Sequence, residues 1–285
     1  MDTFTLANQV EIPVIGFGTY KTTDGSDCAV VRQAIEAGYR YLDTAAFYEN
    51  EEAIGQAVRE SGVAREELFL CSKVWRERMG YENTQEDFES TLEKLGTEYL
   101  DLYLIHWPRP KDLSVDWKPL VLDTWRAMEE LYLAGRVRGI GVSNFLPHHL
   151  NYLMEHTSIL PVVDQMEFHP GYIQKTAVDF CRNLGIQVMA WSPMGRTRVL
   201  KEPFLMELAK KYQVSVAQLC IRFALQCGVL PLPKSSSLER MRQNLDVFGF
   251  EIERDDMYQI LTLPQLGWSG EHPDRERMPA QVCGE

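Results

Sequence analysis

The sequence predicts a (β/α)8 barrel, and three observations carry that prediction. Eight short runs rich in Leu or β-branched residues alternate with stretches of helical periodicity within 285 residues. The G-x-G-x-x-G fingerprint of an open dinucleotide-binding sheet, the rival alternation of strand and helix, is missing: Gly16-Phe17-Gly18 has Lys21 at the third glycine position, and Gly139-Ile140-Gly141 has Asn144 there. Polar residues stand at the end of nearly every run, as they do around the single mouth of a barrel.

The elements follow in order. Residues 3–12 read as a small hairpin able to plug the far end of the barrel. The strand runs are 14–17, 39–42, 68–72, 100–105, 137–142, 162–166, 186–191 and 229–232. The first helix is expected over 26–37, stopped by Gly38. Asn50 can cap a helix with Ala53, Ile54, Ala57 and Val58 on one face. Thr84 can cap the next, with Phe88, Leu92 and Leu95 on its buried stripe and Gly96 at its end. Helices are also expected over 119–134 before Gly135 and over 215–227, opened by Ser215 and stopped by Gly228. Segments 147–156, 174–184 and 237–247 are helical with looser ends. An extra helix near 255–263 and an irregular tail follow. No composition break divides the chain, so 1–285 reads as one domain.

Composition narrows the function. Apolar residues are 45% and charged residues 25%, the profile of a soluble globular protein. Lys plus Arg is 29 against 41 for Asp plus Glu, a net charge of −12 that works against nucleic-acid binding. No apolar run approaches a membrane span, and residues 1–10 carry no basic residue to suggest a signal peptide. Six cysteines form no C-x-x-C pair and H-E-x-x-H is absent, so reduced thiols, a cytoplasmic location and no metal are expected.

Reading only strand ends collects Asp43, Lys73, His106, Ser143, Asn144, Gln165, Trp191, Ser192, Lys234 and Ser235 on one rim, with Tyr48 in the loop after Asp43. These residue types can reduce a carbonyl. Tyr48 would supply the proton. A free phenol has pKa about 10, and a lysine ammonium at ~4 Å and effective dielectric ~20 favours phenolate by roughly 4 kcal/mol, or about three pKa units. Lys73 is thus expected to lower the pKa of Tyr48, with Asp43 keeping the lysine charged. His106 can donate to the carbonyl oxygen as charge develops on it. Ser143, Asn144 and Gln165 suit a carboxamide, and Trp191 offers a flat face for stacking. Lys234-Ser235-Ser236-Ser237 and then Arg240 open the last barrel helix, a local basic seat for a phosphate.

The sequence resembles the aldo-keto reductases along essentially its full length. The resemblance rests on Gly16-Phe17-Gly18-Thr19, Gly38-Tyr39-Arg40-Tyr41-Leu42-Asp43-Thr44-Ala45 with Tyr48, Ser72-Lys73-Val74-Trp75, and Asp101-Leu102-Tyr103-Leu104-Ile105-His106-Trp107-Pro108. It continues through Gly141-Val142-Ser143-Asn144-Phe145, Gln165-Met166-Glu167-Phe168-His169-Pro170 and Pro233-Lys234-Ser235. Trp191 and the short length are most similar to the bacterial 2,5-diketo-gluconate reductases.

The resemblance implies an NADPH-dependent monomer reducing aldehydes or ketones through Asp43, Tyr48, Lys73 and His106. It also implies cofactor contacts from Thr19, Ser192, Met194, Gln243 and Asn244. Substrate walls would be Tyr20, Trp75 and Trp107 beside Tyr48 and His106, with Trp268 or its neighbours packed over the mouth near Trp107. The chain departs from the family pattern at Asp164, where Asn is usual and where an acid would repel a pyrophosphate or bond the same amide. Tyr20 stands for a common Trp, and Ser236-Ser237 for a Val-Thr pair. A metal-dependent hydrolase would need a His/Asp cluster that the sequence does not display. A nucleotide-binding regulatory subunit of the same fold remains the alternative to an enzyme.

Overall fold

The computed structural model describes residues 2–23 and 27–279. Strands β1 (Thr3–Thr5) and β2 (Glu11–Pro13) form the expected hairpin, with Phe4 opposite Ile12. Leu6 and Ile12 are buried among Phe69, Leu102, Leu104, Val163, Met189 and Leu230, side chains of the barrel interior. The hairpin is therefore the floor of the barrel.

Eight parallel strands make the wall: β3 (Phe17–Gly18), β4 (Tyr41–Asp43), β5 (Phe69–Val74), β6 (Leu102–Ile105), β7 (Ile140–Ser143), β8 (Val163–Glu167), β9 (Gln187–Trp191) and β10 (Leu230–Leu232). Each pairs with its neighbours in sequence order. The ring closes where Gly16 N–H donates to Pro231 O at 3.1 Å and Gly18 N–H to Pro233 O at 3.0 Å. That seam is tight: a Cβ at Gly16 would lie 2.4 Å from the Tyr41 ring.

Strand side chains alternate with period two. Tyr41, Phe69, Cys71, Leu102, Leu104, Val163, Met189, Leu230 and Leu232 point inward. Leu42, Leu70, Tyr103, Ile105, Val142, Met166, Val188 and Ala190 point outward into the helix layer.

Helices α1 (Ala29–Ala37), α2 (Glu51–Glu60), α3 (Tyr81–Leu95), α4 (Trp117–Leu133), α5 (Pro147–His156), α6 (Lys175–Asn183), α7 (Pro203–Lys211), α8 (Val216–Gln226), α9 (Leu238–Leu245) and α10 (Arg254–Leu261) cover that outer face. Ser26, the expected start of the first helix, lies outside the described residues. Helix α3 starts three residues before Thr84, which is buried inside it. Helix α4 starts at Trp117, capped by Asp116, whose carboxylate accepts from Lys118 N–H, and Pro119 sits in its first turn. Ser215 caps α8 in a reciprocal box with Gln218. Helix α7, opening on Pro203, is an addition to the expected elements: it lies between β9 and the expected helix α8, so two α-helices separate β9 from β10.

Cys28, Cys71, Cys181, Cys220 and Cys227 are free thiols, and Cys283 lies outside the described residues. Among the described residues, no helix is long and apolar enough to cross a membrane.

Candidate active site

The period-two register fixes which residues reach the mouth. Asp43 ends β4 two residues beyond inward Tyr41, and Lys73 lies two beyond inward Cys71 on β5. Lys73 Nζ donates to Asp43 Oδ1 at 2.6 Å and to Thr44 O at 2.7 Å. Asp43 Oδ2 accepts from Gln165 Nε2 at 2.7 Å and from the Tyr41 hydroxyl at 3.2 Å. Both members of the pair are buried. Burial works against the Lys73 ammonium, but Asp43, Tyr48 and Cys71 work the other way and prevail, so its pKa is held above normal.

Tyr48 ends a 3-10 turn, Ala46–Tyr48, that follows β4 and lays the phenol ring over Lys73, with Nζ 5.2 Å from the ring centroid. The rings of Tyr20 and His106 are 4.9 and 5.6 Å away, centroid to centroid. The net shift of Tyr48 runs opposite to the sequence argument. Burial is the largest influence and raises its pKa, Lys73 lowers it, Asp43 raises it again, and the hydroxyl is pushed up to about 12. The Coulomb argument counted the lysine and left out the water that the phenolate would lose. His106 is buried beside the Lys73 and Arg76 charges, and burial first, then those charges, press its pKa well below the usual value. That direction favours the neutral imidazole, and Nδ1 is unpartnered among the described residues.

Asn144 is the post between strand ends. Its backbone is left-handed, φ 62°, and its Nδ2 donates to His106 O at 3.0 Å and to Ser143 Oγ at 3.1 Å. Its Oδ1 accepts the Trp191 indole N–H at 2.8 Å, holding that half-buried ring by its edge. Ser143 Oγ donates to Gln165 O at 2.8 Å. Thr19 Oγ1 donates to Asp43 O at 2.9 Å. Ser192 turns the chain with φ 52°, and Met194 is half-buried beyond it.

On the other side, Lys234 Nζ donates to Lys21 O at 2.7 Å. Ser237 caps α9 by accepting from Arg240 N–H, and Ser235 Oγ accepts from the Arg240 Nε at 3.5 Å. Ser236 and Gln243 are exposed, and Asn244 is buried beside the Tyr39 hydroxyl.

Asp164 does not reach the mouth. One residue before inward Gln165, it faces outward, fully buried, within 3.8 Å of Cys181 Sγ. Neither reading offered for it, repulsion of a pyrophosphate or a bond to the same amide, fits that position. Burial raises its pKa well above the ordinary carboxylate range, which favours a neutral acid in the wall.

The aromatic walls hold residues that the sequence reading missed. Phe47 stacks on Trp75 with centroids 3.9 Å apart. Arg76 lies between Trp75 and Trp107, its Cζ 4.9 and 4.7 Å from their ring centroids. Phe47 was findable as the neighbour of Tyr48 in a loop over the mouth; for Arg76 only adjacency to Trp75 gave a signal.

Trp268 is buried and stacked on Tyr172 at 6.0 Å. Its neighbours Glu271 and Pro273 line a small cavity with Trp107, Asn144 and Trp191. The tail is pinned twice. Ser269 N–H and Oγ donate to the two oxygens of buried Glu167 at 2.9 and 2.7 Å. Asp274 accepts from His149 Nε2 at 2.9 Å and lies 3.2 Å from His148 Nε2 and 3.4 Å from Arg109 Nη1.

The fold thus brings together a His148–His149–Asp274 cluster of metal-ligating types that is scattered in sequence. His149 Nδ1 accepts from Leu146 N–H at 3.0 Å, which leaves the proton on Nε2, facing Asp274. With Arg109 also on that carboxylate, the cluster is a hydrogen-bonded clasp.

The arrangement matches known proteins over nearly its whole length. Glyoxal reductase of Bacillus subtilis is 47% identical over 274 residues, covering 96% of each chain. Methylglyoxal reductase DkgA of Salmonella typhimurium is 37% identical over 266 residues, covering 93% of this chain and 94% of that one. The crystal structure of a Bombyx mori aldo-keto reductase in complex with NADP superposes with a TM-score of 0.83 at 36% identity, covering 91% of each chain. The pattern of the "Aldo/keto reductase family" matches residues 14–263. The chain belongs to the aldo/keto reductase family.

Proposed function

We propose that this chain is an NADPH-dependent reductase of aldehydes and ketones with Tyr48 as proton donor. The observation that carries the reading is the phenol of Tyr48 over the buried Lys73–Asp43 pair, beside a neutral His106. The residues suit a dinucleotide. Trp191 is held by its indole edge with its ring only half-buried, and the start of α9 combines a Ser cap with Lys234 and Arg240. When bound, the reduced nicotinamide supplies a hydride to the carbonyl carbon.

This chain's residues do the rest. Trp191, Asn144, Ser143 and Gln165 orient the carboxamide end, while Lys234, the Ser235–Ser237 turn and Arg240 take the 2′-phosphate. Thr19, Ser192, Met194, Gln243 and Asn244 complete the cleft. His106, neutral, donates to the carbonyl oxygen. Tyr48 holds its proton firmly at neutral pH and gives it up only to the far more basic alkoxide oxygen that forms. Lys73 then stabilises the phenolate, and Asp43 keeps the lysine charged.

The aromatic walls of Tyr20, Trp75, Trp107 and the tail exclude water. The glyoxal and methylglyoxal reductases among the relatives favour small 2-oxoaldehydes as substrates. The test is steady-state NADPH oxidation with an aldehyde, a 2-oxoaldehyde, a quinone and a keto-sugar. Tight NADPH binding with no turnover of any of them would favour a regulatory subunit.

A further inference from the structure

Arg76 opens the 3-10 turn Arg76–Arg78 directly after Trp75, at the rim of the substrate walls. Its guanidinium is half-buried between the Trp75 and Trp107 indoles. Its Nε is buried with no hydrogen-bond partner, and no carboxylate among the described residues forms an ion pair with it. The acids nearby are engaged elsewhere. Glu77 accepts from Trp75 Nε1 at 3.2 Å. Glu271 lies 3.3 Å from Arg277 and 3.7 Å from Arg196. Burial lowers the pKa of this half-buried guanidinium and outweighs the opposing pull of Glu271 and Glu77, so the charge keeps part of its desolvation cost with no ion pair to offset it. The two indole rings hold the guanidinium, and no carboxylate among the described residues is paired with it.

The same Trp75 ring lies 5.1 Å from the His106 imidazole. The guanidinium and the imidazole are therefore separated by no more than the two ring contacts that link them. That bound, about 10 Å between guanidinium carbon and imidazole centroid, is a span that one short molecule with an anion at one end and a carbonyl at the other can bridge.

We infer that Arg76 receives a carboxylate on the substrate, so that the carbonyl compounds this chain prefers are short oxo acids. The inference rests on the reductase reading of Tyr48 and His106 and names its substrate class. The carboxylate is bound and unchanged, and only the carbonyl is reduced.

The experiment compares 4-oxobutanoate with its methyl ester, using NADPH and the wild type, Arg76→Met and Arg76→Lys. A lost charge-assisted pair is expected to lower the acid-to-ester ratio of kcat/KM about ten- to a hundredfold in Arg76→Met, mostly through KM. Arg76→Lys should restore part of that ratio. A ratio unchanged in Arg76→Met, or a wild type that prefers the ester, overturns the inference while ester turnover leaves the reductase reading standing. A wild type that turns over a 2-oxoaldehyde but neither of these compounds also overturns the inference and leaves the reductase reading standing.

Discussion

Lys73 Nζ lies 2.6 Å from Asp43 Oδ1, and both side chains are buried. Such a pair is held by its partners more than by its own attraction, because both charges have lost their hydration. Here Thr44 O, Gln165 Nε2 and the Tyr41 hydroxyl supply those partners. Asp43→Asn should cost about 3–5 kcal/mol, the usual penalty for leaving one buried charge alone. The double variant Asp43→Asn with Lys73→Met should recover part of that loss while staying inactive. Urea denaturation of the four proteins measures the coupling, and additive losses would show that the pair does not act as a unit.

Tyr48→Phe should lower kcat severely and leave NADPH affinity nearly intact, since only an interaction made in the transition state is lost. Retention of a tenth or more of the wild-type rate would refute the role. The pH dependence follows with its sign. In the proposed reaction the protonated phenol is the active form, and a hydroxyl pushed up to about 12 stays protonated as pH rises. In the same proposal His106 acts as the neutral imidazole, and its lowered pKa keeps it neutral as pH falls. The rate of carbonyl reduction should therefore be flat between about pH 6 and 9. A fall centred inside that window would mean that another group carries the proton.

The sequence discloses period two and strand ends most clearly, because they depend only on local pattern. Asp43, Lys73, His106, Gln165 and Trp191 were singled out because each stands at the end of a strand run. Asp164 was misjudged because the strand-end reading did not apply the period-two alternation: one residue before inward Gln165 must face outward. Helix α7 was hidden because a strand–helix alternation assigns one helix to each strand, and Pro203 opens a second. The shift of Tyr48 was not legible because desolvation depends on every atom around the ring. The clasp on Asp274 joins side chains over a hundred residues apart, beyond any spacing rule.

Arg240 can be separated from the fold by comparing two cofactors. Its Nε lies 3.5 Å from Ser235 Oγ and the side chain is exposed, so truncation should cost little stability. Arg240→Ala is expected to weaken NADPH about ten- to a hundredfold, the range of one charge-assisted bond, and NADH far less. Fluorescence titration with both dinucleotides measures this. Equal losses would place the 2′-phosphate elsewhere.

The tail offers the last test, and its two pins revise the simplest experiment. Deleting residues 266–285 would be expected to spare the barrel if the tail were only a cover. The structure predicts a lower Tm as well, because Glu167 would lose both Ser269 donors and stay buried. Asp274→Asn is the cleaner variant. Burial works to raise the pKa of Asp274, yet His149, His148 and Arg109 together hold it below the usual value. That contribution is present above the ordinary carboxylate pKa and is lost as pH falls through the lowered one. Asp274→Asn should thus cost about 1–2 kcal/mol at neutral pH, with the deficit shrinking in strong acid.

His149 adds a second, separate dependence. Burial first of all lowers its pKa to about 4, against the pull of Asp274. The fold excludes a proton that the unfolded chain takes up, so its stability is full above the ordinary histidine pKa and declines as pH falls toward 4. Because Glu271 and Pro273 line the cavity with Trp107, loosening the clasp should raise KM for bulky carbonyls and leave NADPH affinity unchanged. Melting curves from neutral pH into acid, read beside KM for a small and a bulky aldehyde, decide it. A Tm deficit with no change in either KM would mean that the tail braces the barrel without shaping the substrate pocket.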